Sequence, residues 1–153
     1  MQAMIPESLR LSVVGLNYRT SPLSVRESLS FTPAQAAEAV RRFHERFPGA
    51  EAVILSTCNR VELYIARPLS AEPTLDSLAH FVGEFHSVPP EHFHAHLYHR
   101  EDRAMVEHLF TVTSSLDSMV VGETQILSQV KHAYQRSASA GGVGKVLDRK
   151  SVV

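Results

Sequence analysis

A single cysteine, Cys58, lies directly after an apolar stretch, in the sequence Leu55-Ser56-Thr57-Cys58-Asn59-Arg60. A thiolate is a strong nucleophile, and a nearby cation lowers the pKa of a thiol towards neutrality. Arg60, two residues further along, is a candidate for that cation. These residue types are compatible with a reactive thiol presented at the end of a strand. They are equally compatible with a small apolar side chain packed at the edge of the core, and the spacing alone leaves both interpretations open.

Histidines recur at every second position from His92 through His94 to His96, which on a strand would place all three on one face. Such a row could bind zinc, but no carboxylate or cysteine stands at ligand spacing, so we expect a solvated face and no metal. His99 ends the opposite, apolar face of the same predicted strand. An imidazole at that edge could act as an acid or base, or could be half-buried and bonded to the backbone.

A third polar group, Gly122-Glu123-Thr124-Gln125, precedes a predicted helix. Backbone N–H groups converge at the start of a helix and can bind a carboxylate or phosphate. The same residues also make an ordinary helix cap, in which Glu123 interacts favourably with the helix dipole. On residue types alone the cap is the favoured interpretation.

Hydrophobic periodicity predicts the elements that must position these groups. The predicted strands cover residues 11–18, 50–56, 61–66 and 93–100. The predicted helices cover residues 24–30, 33–47, 75–85, 101–112 and 124–138. Thr32 is the predicted N-cap of the second helix, with Pro33 in its first position. Because strand-helix-strand occurs twice, we predict an α+β fold with a ferredoxin-like βαββαβ core and additional C-terminal helices.

Composition restricts the class of protein. The chain has 153 residues, 44% hydrophobic and 20% charged, which is typical of one globular domain. A single cysteine excludes an internal disulfide framework and cysteine-based zinc sites. The apolar runs are too short to cross a bilayer, and the first residues do not have the pattern of a targeting peptide, so we expect a cytoplasmic location. A net charge of −1 gives no broad positive field for a phosphate backbone.

Three segments together resemble the glutamyl-tRNA reductase family. They are VGLNYRTSPLSVRE near the start, LSTCNRVELY around Cys58, and SLDSMVVGETQILSQVKHAY near the end. They stand in the family's order and cover most of residues 11–140. The resemblance implies that the Cys58 thiolate attacks the ester of glutamyl-tRNA and forms a glutamyl thioester. It also implies that NADPH then reduces the thioester to glutamate-1-semialdehyde, the precursor of 5-aminolevulinate and tetrapyrroles.

The resemblance also assigns roles to individual residues. His99 matches the family's catalytic histidine, and Arg60 matches the residue that pairs with the substrate's side-chain carboxylate. The other implied glutamate-pocket positions are Thr57, Asn59 and Ser114. Glu62, Glu123 and Gln125 are implied as further pocket or supporting polar groups.

By the same resemblance, residues 1–142 form the catalytic domain, and residues 143–153 are the truncated start of a connecting region or a tail. The family's NADPH-binding and dimerisation domains would follow, and no G-x-G-x-x-G fingerprint occurs in the chain. We therefore expect no cofactor on this chain, no reductase activity, at most hydrolysis of glutamyl-tRNA, and a monomer. The full-length enzyme is expected to be a homodimer, with glutamate-1-semialdehyde aminomutase as a candidate partner.

Two other functions remain open from the sequence. An RNA-binding module on a ferredoxin-like sheet would need exposed aromatic residues on the middle strands, and Tyr64 is the only one around Cys58. A stand-alone thiol acyl-transferase or hydrolase would use Cys58 and His99 without any cofactor.

Overall fold

A four-stranded antiparallel sheet organises the chain in this computed structural model, which describes residues 9–69, 72–114, 125–144 and 147. Its strands are β1 (Leu9–Asn17), β2 (Glu51–Ser56), β3 (Arg60–Pro68) and β4 (Tyr98–Glu101). They lie in the order β2-β3-β1-β4, and each neighbouring pair is antiparallel. The long central strands β1 and β3 therefore carry most of the sheet's hydrogen bonds.

Among the described residues, five α-helices pack on this sheet: α1 (Leu23–Leu29), α2 (Pro33–Arg46), α3 (Leu75–His86), α4 (Arg103–Thr113) and α5 (Gln125–Ser139). The predicted start of α2 is confirmed. The Thr32 hydroxyl accepts the Gln35 N–H at 3.1 Å, and the Gln35 side chain accepts the Thr32 N–H at 2.9 Å. None of the helices in the described ranges has the length and apolar character needed to span a membrane.

The order of elements confirms the α+β prediction, with both α1 and α2 inside the first connection between strands. One face of the sheet packs against α1, α2 and α3 through a core that includes Leu16, Leu63 and Phe43. The other face packs against α4 and α5 through a core that includes Val13 and Met105. Because successive strand residues point to opposite faces, β1 and β3 are buried on both sides.

The last turn of α5 and the segment after it cover the outer edge of β2. The Ala52 N–H donates to the Gly142 carbonyl at 2.8 Å, and the Ser137 hydroxyl donates to the Ala52 carbonyl. The Glu51 carboxylate accepts the N–H groups of Gly144 at 2.8 Å and Leu147 at 2.9 Å. These bonds satisfy polar groups of an edge strand that would otherwise invite pairing with another chain.

The predicted strand over residues 93–100 is wrong in its first half. Pro90–His92 and His94–His96 form two short 3₁₀ turns, and the strand begins only at Tyr98. Proline at position 90 starts the first turn, and the buried Phe93 lies between the two. The alternating histidines therefore do not share the face of a strand. Within the described ranges, no three histidine, cysteine or acidic residues are grouped closely enough to hold a metal ion.

His86, in the last turn of α3, offers a test of this packing. Its ring lies 4.4 Å from that of Phe31 and 5.1 Å from that of Phe85, measured between centroids. Burial lowers the pKa of His86, and a hydrogen bond to the Leu29 backbone only partly opposes this. The unfolded chain therefore takes up a proton at higher pH than the folded chain does, and stability is lost as pH falls below about 6.5.

We expect His86→Phe to remove part of this pH dependence. The free energy of unfolding, measured by urea titration between pH 5 and 8, should fall less steeply towards acid than in the parent chain. His80→Gln is the control, because His80 is exposed on the same helix. A variant with the same acid slope as the parent would contradict the assignment to His86.

Candidate active site

Cys58 lies at the tip of the hairpin that joins β2 to β3, and its side chain is exposed. Thr57 fixes the backbone of this loop. Its N–H donates to the Arg60 carbonyl at 2.8 Å, and its hydroxyl oxygen accepts the N–H groups of Asn59 at 3.1 Å and Arg60 at 3.2 Å. The Cys58 thiol is 3.8 Å from the side-chain oxygen of Asn59, to which it donates. A short, internally bonded loop thus presents the thiol to solvent.

The loop after β1 lies beside the cysteine loop. The Tyr18 N–H donates to the Asn59 carbonyl at 2.9 Å, and Asn17 pairs with Arg60 across the two strands. The Asn17 side chain accepts backbone N–H groups of Arg19 and Thr20, which closes its own turn. Two segments that the sequence resemblance picked out separately are therefore neighbours in the fold.

A buried carboxylate, Glu62, lies on the face of β3 that packs against α4. Its side chain is 0% exposed, and that of Arg60 is 1% exposed. One carboxylate oxygen accepts the Tyr64 hydroxyl at 2.7 Å. The other accepts Arg60 Nη1 at 3.1 Å, the Tyr98 hydroxyl at 2.5 Å and His108 Nε2 at 2.5 Å. We call Arg60, Glu62, Tyr64, Tyr98 and His108 the Glu62 cluster.

The donors around Glu62 keep it ionised. Burial by itself raises the pKa of Glu62, but the hydrogen bond and charge of His108, the charge of Arg60 and the hydrogen bond of Tyr98 together lower it below its usual value. Burial and the negative charge of Glu62 raise the pKa of Tyr64 well above that of an ordinary tyrosine. Tyr64 therefore remains a protonated donor, and the cluster contains one negative charge facing four donors.

Gly15 on β1 makes room for this carboxylate. It pairs directly with Glu62 on β3 and with Tyr98 on β4. A Cβ atom at Gly15 would lie 2.5 Å from the Val61 carbonyl oxygen and 2.8 Å from Glu62 Cγ. Both distances are shorter than real Cβ contacts, so only glycine fits here without displacing Glu62.

The structure places the predicted site residues on several elements. Thr57, Cys58, Asn59, Arg60 and Glu62 form one continuous region from the hairpin tip into β3. Ser114 is at the end of α4, where its hydroxyl donates to the Thr111 carbonyl at 3.1 Å. Gln125 begins α5, but its side chain lies outside the described residues, as does the whole of Glu123.

His99 lies on β4 and faces away from the Glu62 cluster. It pairs with Val14, which belongs to the core under α1 to α3, whereas its neighbour Tyr98 points to the opposite face. The His99 Nε2 lies 3.5 Å from a carboxylate oxygen of Glu101, and both side chains are about one third exposed. The catalytic role of His99 remains a prediction, and it would have to be exercised from the opposite face of the sheet.

His108 and Tyr98 are two members of the cluster that the sequence interpretation missed. A signal for His108 was present, because it follows the buried Met105 by three residues and precedes the buried Val112 by four on α4. That spacing puts the imidazole on the sheet-facing stripe of the helix. Tyr98 was concealed by the wrong strand start, which made it one member of a row of exposed polar side chains.

The structure removes the observation that favoured an RNA-binding sheet. Tyr64 is only 5% exposed, and its hydroxyl is bonded to Glu62. A ring buried beneath α4 cannot stack on a nucleotide base.

An apolar groove of about 370 Å³ also lies between α4 and α5, where Phe110 and Leu127 are exposed, but its described lining does not include Cys58.

Gly15→Ala tests the steric argument. We expect the variant to lose about 2 kcal/mol or more of unfolding free energy, because the new methyl group must displace either backbone or Glu62. Urea denaturation measures this loss. Gly49→Ala is the comparison: nothing lies within 4 Å of its Cβ position, so its cost, about 1 kcal/mol, comes only from the φ of +90°. A Gly15→Ala variant less perturbed than Gly49→Ala would show that Glu62 has room to move.

Comparison with known proteins identifies the family. The family model described as "Glutamyl-tRNAGlu reductase, N-terminal domain" matches residues 14–151. A glutamyl-tRNA reductase from Geobacter sulfurreducens is 43% identical over 141 residues, which are 92% of this chain and 32% of that protein. One from Desulforudis audaxviator is 45% identical over 138 residues, which are 90% of this chain and 30% of that protein.

A solved structure agrees with the sequence relatives. The glutamyl-tRNA reductase from Methanopyrus kandleri superposes with a TM-score of 0.71 at 32% identity, covering 93% of this chain and 31% of that one. This chain thus spans about a third of the length of the relatives it matches. The chain belongs to the glutamyl-tRNA reductase family, in which it corresponds to the N-terminal domain.

Proposed function

We propose that this domain performs the acyl-transfer half of glutamyl-tRNA reduction, with Cys58 as the nucleophile. The observation that carries the proposal is the exposed thiol on an internally bonded loop whose next strand leads into a buried cluster of acid and base groups. Such a loop holds a nucleophile in place before substrate arrives. The names and coverage of the relatives support the substrate, glutamyl-tRNA.

In the proposed step, the Cys58 sulfur attacks the carbonyl carbon of the ester that joins glutamate to the tRNA. A C–S bond forms, the ester C–O bond breaks, and the tRNA hydroxyl leaves with a proton. The thiol proton must first be taken up and then delivered to that leaving oxygen. The product on the domain is a glutamyl thioester.

We propose His108 as the group that moves this proton. It bonds to Glu62, which lies only four residues after Cys58, at most about 13 Å along extended backbone. His99, the residue implied by the sequence resemblance, lies on the face of the sheet opposite to Glu62, whereas His108 bonds to Glu62 directly, and this supports His108. Arg60 is proposed to meet the substrate's side-chain carboxylate, and its bond to Glu62 fixes the orientation of the guanidinium fork.

The second half of the proposed reaction is the reduction of the thioester. It is assigned to the part of the relatives that this chain does not span. Bound NADPH would supply the hydride that converts the thioester to glutamate-1-semialdehyde for tetrapyrrole synthesis. This chain contains no G-x-G-x-x-G sequence to hold the nucleotide, so we derive no step of the reduction from its residues. A cytoplasmic location, a homodimeric full-length enzyme and an aminomutase partner remain proposals of the same kind.

Two structural assignments are also proposed. The interleaved order β2-β3-β1-β4, with every pair antiparallel, supports a ferredoxin-like sheet. The domain boundary, predicted after residue 142, is better drawn after residue 147. Gly144 and Leu147 are bonded to Glu51 on β2, and Leu147 is 2% exposed within the core under α5.

Incubation with glutamyl-tRNA labelled in the glutamate tests the acyl transfer. We expect a covalent adduct on the chain that hydroxylamine releases, as it does a thioester, and no adduct on Cys58→Ala. Aspartyl-tRNA is the matched substrate control, because its side chain is one methylene shorter. Ester loss that depends on Cys58 but leaves no adduct would favour the thiol hydrolase instead. Ester loss unchanged by Cys58→Ala would overturn the proposal.

A further inference from the structure

We propose that Glu62 and Tyr98 are positioning residues that hold His108 with a proton on Nε2, so that Nδ1 is the nitrogen that exchanges the proton during acyl transfer. This inference rests on the proposed function, in which His108 serves Cys58. The inference goes beyond that function by assigning the reacting nitrogen. It also gives the contacts that Glu62 and Tyr98 make with His108 a role in the reaction.

The tautomer follows from the chemistry of the partner. An ionised carboxylate can only accept hydrogen bonds, so a ring nitrogen 2.5 Å from a Glu62 oxygen must carry the proton. In the neutral imidazole the other nitrogen, Nδ1, then has a free lone pair. Within the described ranges the His108 ring makes its hydrogen bond through Nε2 alone. A base that is oriented through one nitrogen and reacts through the other is a common arrangement in enzymes.

Tyr98 restricts the same pair from the neighbouring strand. Its hydroxyl donates to the carboxylate oxygen that His108 also bonds, at 2.5 Å. Its ring lies 5.3 Å from the imidazole, with a 50° angle between the planes. Tyr98 thus contacts both members of the pair, and it limits the rotation of the carboxylate as well as that of the imidazole. The side chain of His108 is 14% exposed, so solvent competes little for these contacts.

A second histidine–carboxylate pair shows what the cluster adds. His99 and Glu101 lie 3.5 Å apart at the sheet edge, and both are about one third exposed. Glu101 also accepts Arg10 Nη1 at 2.7 Å, so its nearest donor is not the histidine. At that distance and exposure the carboxylate does not fix a tautomer, because water can bond to either ring nitrogen. Glu101 therefore provides a control for Glu62.

Replacing Glu62 with leucine should release the tautomer. Leucine is close to glutamate in size but offers no acceptor, so Nε2 loses the partner that requires a proton on it. Either ring nitrogen can then carry the proton, and Nδ1 is no longer kept free for proton transfer. Glutamine would not test this, because Arg60, Tyr98 and His108 all bond the same carboxylate oxygen and the amide oxygen would take its place.

The experiment records long-range ¹H–¹⁵N spectra of the ¹⁵N-histidine-labelled chain at a pH where the imidazoles are neutral. We expect the Nε2–H form of His108 in the parent, a mixture of the two forms in Glu62→Leu, and no change at His108 in Glu101→Leu. The rate of Cys58 acylation at saturating glutamyl-tRNA should fall at least about 100-fold in Glu62→Leu. It should remain at the parent value in Glu101→Leu.

Tyr98→Phe is the milder variant, which keeps the ring and removes only the hydroxyl. We expect a fall of about five-fold in acylation rate at unchanged apparent affinity, corresponding to one lost hydrogen bond. It serves the test if Glu62→Leu does not fold. An unchanged rate in Tyr98→Phe, or the same pure Nε2–H form in Glu62→Leu as in the parent, would overturn the inference. If the parent chain shows no acylation at all, the proposed function fails, whereas the tautomer spectra still decide whether Glu62 positions His108.

Discussion

The burial of a charged carboxylate at Glu62 is the constraint on which the arrangement of the site depends. Removing such a group from water costs several kcal/mol unless donors replace the lost hydration. The four donors come from β3, β4 and α4, so the charge can be buried only when these three elements are correctly placed. The same charge requires glycine at position 15, since any larger residue would occupy its space.

The hairpin that carries Cys58 is coupled to this constraint through Arg60. Its backbone bonds to Thr57 and closes the loop, while its side chain is buried against Glu62. One residue thereby connects the exposed thiol to the buried charge. Arg60 is therefore not a free cation beside the thiol, as its position in the sequence suggested, because the nearest carboxylate already neutralises much of its field.

Periodicity predicted most of the fold because most of its elements bury apolar side chains at regular spacing. The α2 start was also predictable, since its cap is made by residues three apart in sequence. The strand at residues 93–100 failed because alternating histidines imitate a solvated strand face, whereas the backbone there follows 3₁₀ turns that begin at Pro90. Alternation indicates a strand only where the backbone is free to extend.

The candidate site was predictable only where its residues are close in sequence. Residues 57–60 were found as one segment, but Tyr98 and His108 lie 36 and 46 residues away from Glu62. Their contact depends on the register of β4 and the rotation of α4, neither of which a local pattern contains. The sequence resemblance therefore pointed to His99, and it did not indicate that His108 would contact Glu62.

Under the proposed function, the charge balance of the cluster suits its histidine to take up the thiol proton. With a neutral imidazole, Arg60 and Glu62 cancel and the cluster has no net charge. When a thiol proton reaches His108, the cluster becomes positive as the sulfur becomes negative, so the two new charges attract. In the proposed step the Glu62 carboxylate faces the newly charged ring at a site that is largely shielded from water. The buried carboxylate would thus lower the cost of the charge separation that the proposed thiolate attack requires.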